Sequence, residues 1–476
     1  MTLPRDATET HAAEAPEDDI QEMYRRARRA FETIEHWSQE QVDEMVAAVG
    51  WEWQKEANAR AVAALAVEEG KIGVYEDKVN KVRNKVRGTL WDFRGAKTCG
   101  LVREDPDRGL KIYAKPIGVV ANVVPMTNPE GTVCTIGLSL LKTRNAMICS
   151  PHPRTRRTSF ETVEIGRRAL ARIGAPPDLF QCIRNPSNEK TQELMRHVDF
   201  VVATGGAALV KVVYAAGKPA HTVGAGNVVS IVDETADLVA AAKKIVRSKT
   251  ANNSTSCSSE NAVAIHEDVY DRMMEALRAE GGYLCTTEER ERLRTTLWPD
   301  GRTLNRDVIG RAVEVIAGAA GITIPAGTRF LMVLGEQIGP EDRFSGEKLS
   351  LVLTVWRWRD FDEMLDRLDR ILQFSGIGHS ASIHTARADR MEQLALRAKV
   401  GRVICNMPHV MNSGGWTCGQ PWTESLGCGT WAGNMTSDNI NWRHFLNYTW
   451  LAVPVQEYVP TDEDLFGDYL KKWGAT

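Results

Sequence analysis

Of the nine cysteines in this 476-residue chain, Cys257 keeps the company a nucleophile needs. The stretch SKTANNSTSCSSENAVAI surrounds it with Asn252, Asn253, Ser254, Thr255, Ser256, Ser258 and Ser259, then runs into an apolar strand. A core thiol sits among apolar side chains, whereas a reactive one needs a polar, partly exposed turn whose amides stabilise the thiolate. The competing reading is a packed thiol in a loop rich in Ser and Asn. The other cysteines (Cys99, Cys134, Cys149, Cys182, Cys285, Cys405, Cys418 and Cys428) are scattered without a CxxC pair. That pattern suggests neither a metal site nor a disulfide framework, and it fits reduced thiols in a cytoplasmic protein.

Ordered elements must hold such a turn. Ile20, Met23, Tyr24, Ala27, Phe31 and Ile34 follow helical spacing. Ser38 and Gln41 form a capping box for a second helix carrying Val42, Met45, Val46, Val49 and Trp53, and the helical region runs to about Gly70. After Gly109 strands and helices alternate, the signature of an α/β fold with a parallel sheet. Ligands of such sheets sit at the carboxyl ends of strands, here Met126-Thr127-Asn128, Ser150-Pro151-His152 and Thr204-Gly205-Gly206. Neither GxGxxG nor GxxxxGK[ST] is present; VGAGN at 223–227 lacks the third glycine and precedes a strand. A second α/β unit is expected from about Asp237, and residues 445–459 read as extended, ready to pair with a flap strand near 101–115. The expected organisation is therefore an acidic disordered tail over 1–19, a first unit over 20–236, a second over 237–440 and a C-terminal flap over 441–476.

The 59 basic and 62 acidic side chains nearly cancel, to a formal charge of −3, which gives no sign of a nucleic-acid surface. No apolar run approaches the length of a membrane span. The acidic tail reads as disordered, with a short targeting or encapsulation peptide as the alternative.

Five blocks carry a resemblance. KPIGVVANVVPMTNPEGT (115–132), LKTRNAMICSPHPRT (141–155), TGGAALVKVVYAAGKPAHTVGAGNVVSIVDETAD (204–237), SKTANNSTSCSSENAVAI (248–265) and SLGCGTWAGNMTSDNINWRHFLN (425–447) resemble the CoA-acylating branch of the aldehyde dehydrogenase superfamily. The similarity covers nearly the whole chain from about residue 20. It implies a Rossmann-like cofactor domain, an α/β catalytic domain and a small β oligomerisation flap, in a homodimer or homotetramer. It makes Cys257 the nucleophile toward a small aldehyde, with NAD or NADP as cofactor and coenzyme A as cosubstrate. Thr204, Gly205 and Gly206 then match the turn against the cofactor diphosphate, where glycine permits close approach and a helix N-terminus favours negative charge. Ser150 and Pro151 match the segment beside the adenine ribose, and Glu347 the carboxylate on the nicotinamide ribose. Asn128 is a candidate donor to the developing oxyanion, although the ungapped match falls on Thr127. His379, in GIGHSASIHT, recurs at this place in acylating enzymes.

One departure from the hydrolytic members carries information. Their glutamate general base, just before a Gly-Gly pair, is matched here by Val223. Water, with a pKa of about 15.7, needs such a base. A CoA thiol, near ~8.5, does not. The rival readings are a hydrolytic dehydrogenase releasing free acid and a non-catalytic scaffold or cargo subunit, the latter supported only by the tail. Within the acylating branch NINWRHFLN is closer to sulfoacetaldehyde enzymes than to acetaldehyde ones, with Arg443, His444, Arg402 and His409 as candidate cations for an anionic substrate. Arg154, Arg156 and Arg157 are candidates for a cofactor 2′-phosphate. Association with a bacterial microcompartment through the tail would accompany this reading.

Overall fold

Valine-rich runs build the centre of the molecule. A computed structural model describes residues 18–474. Strand Val119–Val124 is buried at every residue, as a parallel strand covered by helices on both faces must be. It is the middle strand of a five-stranded parallel sheet in the order Phe180–Cys182, Ala146–Pro151, Val119–Val124, Phe200–Thr204, Ala220–Val223. The chain builds outward from Val119–Val124 to one edge and then crosses to Phe200–Thr204. Strand order thus reverses between these two, and their carboxyl ends open a crevice there.

Helices Ile20–Ile34, Pro129–Lys142 and Arg156–Arg172 pack on this sheet. Helix Gln39–Gln54 starts with the Ser38–Gln41 capping box and buries Trp53, whose ring stacks on Phe180 at 5.6 Å. The helical region is broken at Lys55, where ψ is 133°, before Glu56–Gly70 resumes it. A further helix, Tyr75–Asp92, has no counterpart in the apolar pattern, because Lys78 and Lys85 are among the residues it buries.

The second sheet has seven parallel strands: Gly282–Leu284, Phe330–Leu334, Val352–Trp358, Glu260–His266, Val228–Val232, Ala381–His384 and Val403–Cys405. Val228–Val232 pairs here, so the change of sheet falls between Val223 and Val228, ahead of the 236/237 boundary expected from sequence. The 440 boundary also shifts. Leu426 and Ile440 pack in the core of the five-stranded sheet, so the Gly-rich segment after Cys405 returns to the first unit.

A third, antiparallel sheet comprises Gly100–Asp105, Leu110–Pro116 and Leu446–Ala452, with Tyr448 opposite Ala114. The expected single flap strand over 101–115 is a hairpin, and the C-terminal extension ends in helix Asp462–Trp473. Most of the tail (1–17), with its disorder and targeting readings, lies outside the described residues. Asp19 caps helix Ile20–Ile34, and Asp18 accepts from the N–H groups of Arg184 and Asn185 at 2.9 Å, so these two residues belong to the fold. Among the described residues no helix is long and apolar enough to cross a membrane.

Candidate active site

Cys257 stands between the two large sheets, just before strand Glu260–His266 and facing the crevice at the ends of Val119–Val124 and Phe200–Thr204. Its loop enters through three consecutive left-handed residues, Asn252, Asn253 and Ser254, with φ of 49°, 53° and 61°. Asparagine tolerates that region because its short polar side chain bonds locally. Asn252 accepts from the Val74 N–H at 2.8 Å and donates its own N–H to Asp77 at 2.7 Å. The nucleophile loop is therefore pinned to the first turn of helix Tyr75–Asp92. On its other flank a Cβ at Gly226 would lie 2.1 Å from the Cys257 carbonyl oxygen, so only glycine lets the two segments touch.

Cys257 lines a cavity of about 250 Å³ with Asn128, Thr204, Gly205, Gly206, Val223, Glu347 and Glu424. The Nε2 of His379 is 3.1 Å from the Cys257 sulfur. The other ring nitrogen is 2.6 Å from the Ser380 hydroxyl, which Asn412 holds from 3.1 Å. His379 is fully buried. Burial first, then the Arg402 charge and His409, keep its pKa well below the ordinary imidazole value, so it is neutral at pH 7. Burial, reinforced by Glu347, Cys428 and Glu424 and opposed by Arg402, pushes the Cys257 thiol up to about 12. A protonated thiol thus rests against a neutral imidazole, and attack requires a proton transfer between them.

Two carboxylates share the cavity. Glu347 accepts the Gly226 N–H at 3.1 Å, and burial raises its pKa to about 7 against that hydrogen bond and the Lys348 charge. Burial would raise Glu424 too, but Lys85, at 3.2 Å, together with Lys81 and Lys78 holds it below its usual value. Asn128 accepts from Lys81 at 2.5 Å through Oδ1, and its amide nitrogen has no protein acceptor among the described residues. Val223 lines the cavity as an apolar wall.

These residues fit a dinucleotide. Helix Ala207–Ala215 begins at Gly206 without a side-chain cap, and a Cβ at Gly206 would meet nothing within 4 Å. The helix start therefore leaves room for a group such as a diphosphate, with no side chain capping it. Thr204 bonds Ser425 through its hydroxyl at 3.2 Å, fixing the turn. Glu347 offers a buried carboxylate for ribose hydroxyls. Ser150 and Pro151 end the neighbouring strand outside the Cys257 cavity, and the Ser150 hydroxyl is spent on Thr191 at 2.8 Å. Arg157 pairs with Glu68 at 3.0 Å, Arg154 reaches the Gly70 carbonyl at 3.4 Å and Arg156 the Asn185 side chain at 3.3 Å. Among the described residues no group of three or more His, Cys, Asp or Glu is placed to hold a metal.

None of the four candidate substrate cations lines the cavity. Arg443 stacks on Trp442, 4.9 Å from its ring, beside a separate cleft at the flap. Arg402 is buried on the carbonyls of Gly427 and Ser437, His409 on that of Ser258 at 2.8 Å, and His444 faces Asp438 at 3.1 Å. Each has a structural partner that its sequence neighbours do not reveal. Conversely, Glu424, Lys81 and Lys85 are site residues that the motifs do not single out. Their signals were a lone carboxylate in a Gly-rich stretch and lysines spaced 78, 81, 85, one helical face.

A model described as the aldehyde dehydrogenase family matches residues 5–291. A sulfoacetaldehyde dehydrogenase of Acholeplasma sp is 42% identical over 95% of this chain and 95% of its own. An acylating sulfoacetaldehyde dehydrogenase of Bilophila wadsworthia is 41% identical over 96% of this chain and 99% of its own. The crystal structure of an acetylating aldehyde dehydrogenase from Geobacillus thermoglucosidasius superposes with a TM-score of 0.90 at 33% identity, covering 93% of this chain and 98% of that one.

Proposed function

This chain belongs to the aldehyde dehydrogenase family, and we propose that it is an acylating member that oxidises sulfoacetaldehyde to its acyl-CoA with NAD(P)⁺ and coenzyme A. The observation that carries the acylating reading is the pairing of Cys257 with His379 at 3.1 Å in a cavity walled by Val223. Val223 puts an apolar wall where a carboxylate base would be needed to take a proton from water, at about 15.7. A CoA thiol, near ~8.5, is already partly thiolate at neutral pH and needs no such base.

The steps follow from the geometry. Cys257 Sγ attacks the aldehyde carbon as its proton passes to His379 Nε2, which requires the Nδ1–H tautomer donating to Ser380. In this reading the Cys257 N–H and the Asn128 amide donate to the oxyanion. Glu347 and the Thr204–Gly206 turn orient the dinucleotide. When bound, the oxidised nicotinamide supplies the acceptor for the substrate hydride. The resulting Cys257 thioester is attacked by CoA sulfur, whose proton goes to the site base, and the departing Cys257 sulfur is protonated in turn. One proton is released overall.

Sulfoacetaldehyde as the substrate rests on the two relatives named for it and on the lysine-rich wall beside Cys257. The test is steady-state NAD(P)H formation from sulfoacetaldehyde with either cofactor, with and without CoA, and identification of the product. The account expects CoA-dependent turnover yielding sulfoacetyl-CoA. Turnover that ignores CoA, or no turnover of sulfoacetaldehyde, contradicts it.

A further inference from the structure

Helix Tyr75–Asp92 turns Lys78, Lys81 and Lys85 onto one face, toward Cys257. Two of these charges are neutralised where they stand. Lys78 meets Glu130 at 3.3 Å, both fully buried, and Lys85 meets Glu424 at 3.2 Å and the Ser413 and Thr423 carbonyls. A buried charge without such partners is costly, so these pairs read as structure. Lys81 is different. Among the described residues its ammonium has no carboxylate within ion-pair distance, only the neutral Asn128 oxygen at 2.5 Å.

Lys81 also stands between two spaces. A second cavity, of about 620 Å³, is lined by Lys81 and shares Ser256, Ser413 and Glu424 with the Cys257 cavity. Its outer wall carries exposed Lys243 and Arg247 on helix Leu238–Thr250. The acids on that wall are engaged, Glu280 with Arg329 at 3.7 Å and Asp77 with the Asn252 N–H. Among the described residues Lys243 and Arg247 have no carboxylate within ion-pair distance, so a small anion entering here meets positive charge along its route and then the Lys81 ammonium beside the nucleophile loop.

Building on the sulfoacetaldehyde reading above, we propose that Lys81 is the specificity-determining residue for an anionic aldehyde, binding the sulfonate while the carbonyl faces Cys257. In sulfoacetaldehyde the sulfonate sulfur is two bonds from the carbonyl carbon, so its counter-charge must be close to the nucleophile. Lys81 satisfies this through Asn128, which lines the same cavity as Cys257. An ammonium has three donors, and Asn128 occupies one of them. The phosphates of CoA are the other anions at hand, but they lie at the far end of the pantetheine arm from the reacting thiol.

The experiment compares wild type, Lys81→Met and Lys81→Arg on sulfoacetaldehyde and on propionaldehyde, at saturating CoA and cofactor. Lys81→Met is expected to lower kcat/KM for sulfoacetaldehyde by roughly 10- to 100-fold, the scale of a charged hydrogen bond. Propionaldehyde should lose far less, only what the missing Lys81–Asn128 hydrogen bond costs both substrates, circular dichroism should show the fold intact, and Lys81→Arg should restore part of the preference. An equal loss on both aldehydes, or no change in their ratio, overturns the assignment. A raised KM for CoA with both aldehydes places Lys81 on the CoA phosphates and overturns it too. Wild type inert toward sulfoacetaldehyde but active on propionaldehyde defeats the substrate reading instead. The comparison then runs with malonate semialdehyde, where loss of the anion's advantage in Lys81→Met supports the role and its retention overturns it.

Discussion

On one side of Cys257 the cavity wall is backbone and glycine: the Thr204-Gly205-Gly206 turn, the uncapped start of helix Ala207–Ala215, and Gly226 pressed against the Cys257 carbonyl. On the other side Asn128 and Glu424 line it, backed by side-chain charge in Lys78, Lys81, Lys85 and Glu130. Backbone donors at a helix start accept the diphosphate of any dinucleotide, so that wall suits a part every turnover shares. Lysines that outnumber their glutamate partners among the described residues suit the part that distinguishes one aldehyde from another. The nucleophile sits at the seam, held from one side by Gly226 and from the other by Asn252, which bonds Val74 and Asp77 at the start of helix Tyr75–Asp92.

The comparison is broken most severely at the seam. Cys257→Ala should lower turnover with every aldehyde by roughly four orders of magnitude or more, because neither wall supplies another nucleophile. Cofactor binding by fluorescence titration should survive in that variant. CoA-dependent activity retained in it would remove Cys257 from the chemistry.

His379→Ala comes next, with an expected loss of about 10²- to 10⁴-fold in kcat. Because the folded-state pKa of His379 is depressed well below 6.5, the neutral base is present above that value and is lost only under more acid conditions. At saturating cofactor, the wild-type kcat/KM for the aldehyde should therefore show no acid limb near 6.5. A limb there would mean that the imidazole is not depressed, and a rate climbing toward the thiol value of about 12 would mean that Cys257 ionises without this base.

Gly226→Ala sharpens the backbone wall. The added methyl must push back the Cys257 carbonyl 2.1 Å away, and a displaced nucleophile loop should cost roughly 10- to 100-fold in kcat for anionic and neutral aldehydes alike. A change in the ratio between the two would show that the walls are coupled.

Glu347→Gln is expected to have a smaller effect, about 1–3 kcal/mol in cofactor use. With its carboxyl raised to about 7, Glu347 is ionised above that pH and protonated below it. Cofactor KM should thus rise as pH falls through about 7 in wild type and stay flat in the variant. Parallel pH profiles would take Glu347 off the cofactor.

The sequence shows the two walls unequally, for a physical reason. Glycines, the strand-end turns and the polar Cys257 loop are local features, and their residue types report the backbone they need. The parallel α/β architecture follows from the same local signals, in alternating valine-rich strands and helices. The charged wall is assembled by tertiary contact. Lys78 and Lys85 are buried because Glu130 and Glu424 come to them from other parts of the chain, and a run of lysines looks like a solvated helix face until those partners are known. The same blindness directed attention to Arg443, which the fold sends to the flap cleft. The sheet boundary before Val228 was hidden because pairing, not composition, decides which sheet a valine run joins.

The most direct test of the acylating account is a rapid-mixing experiment with enzyme, aldehyde and NAD(P)⁺ but no CoA. Cys257 can be acylated once, and Val223 puts an apolar wall where a carboxylate base would activate water against the thioester. The account predicts a burst of NAD(P)H stoichiometric with active sites, then a stall that added CoA releases. Continuous NAD(P)H formation with accumulation of free acid would contradict it, because Glu347, Glu424 or His379 would then be delivering water to the Cys257 thioester.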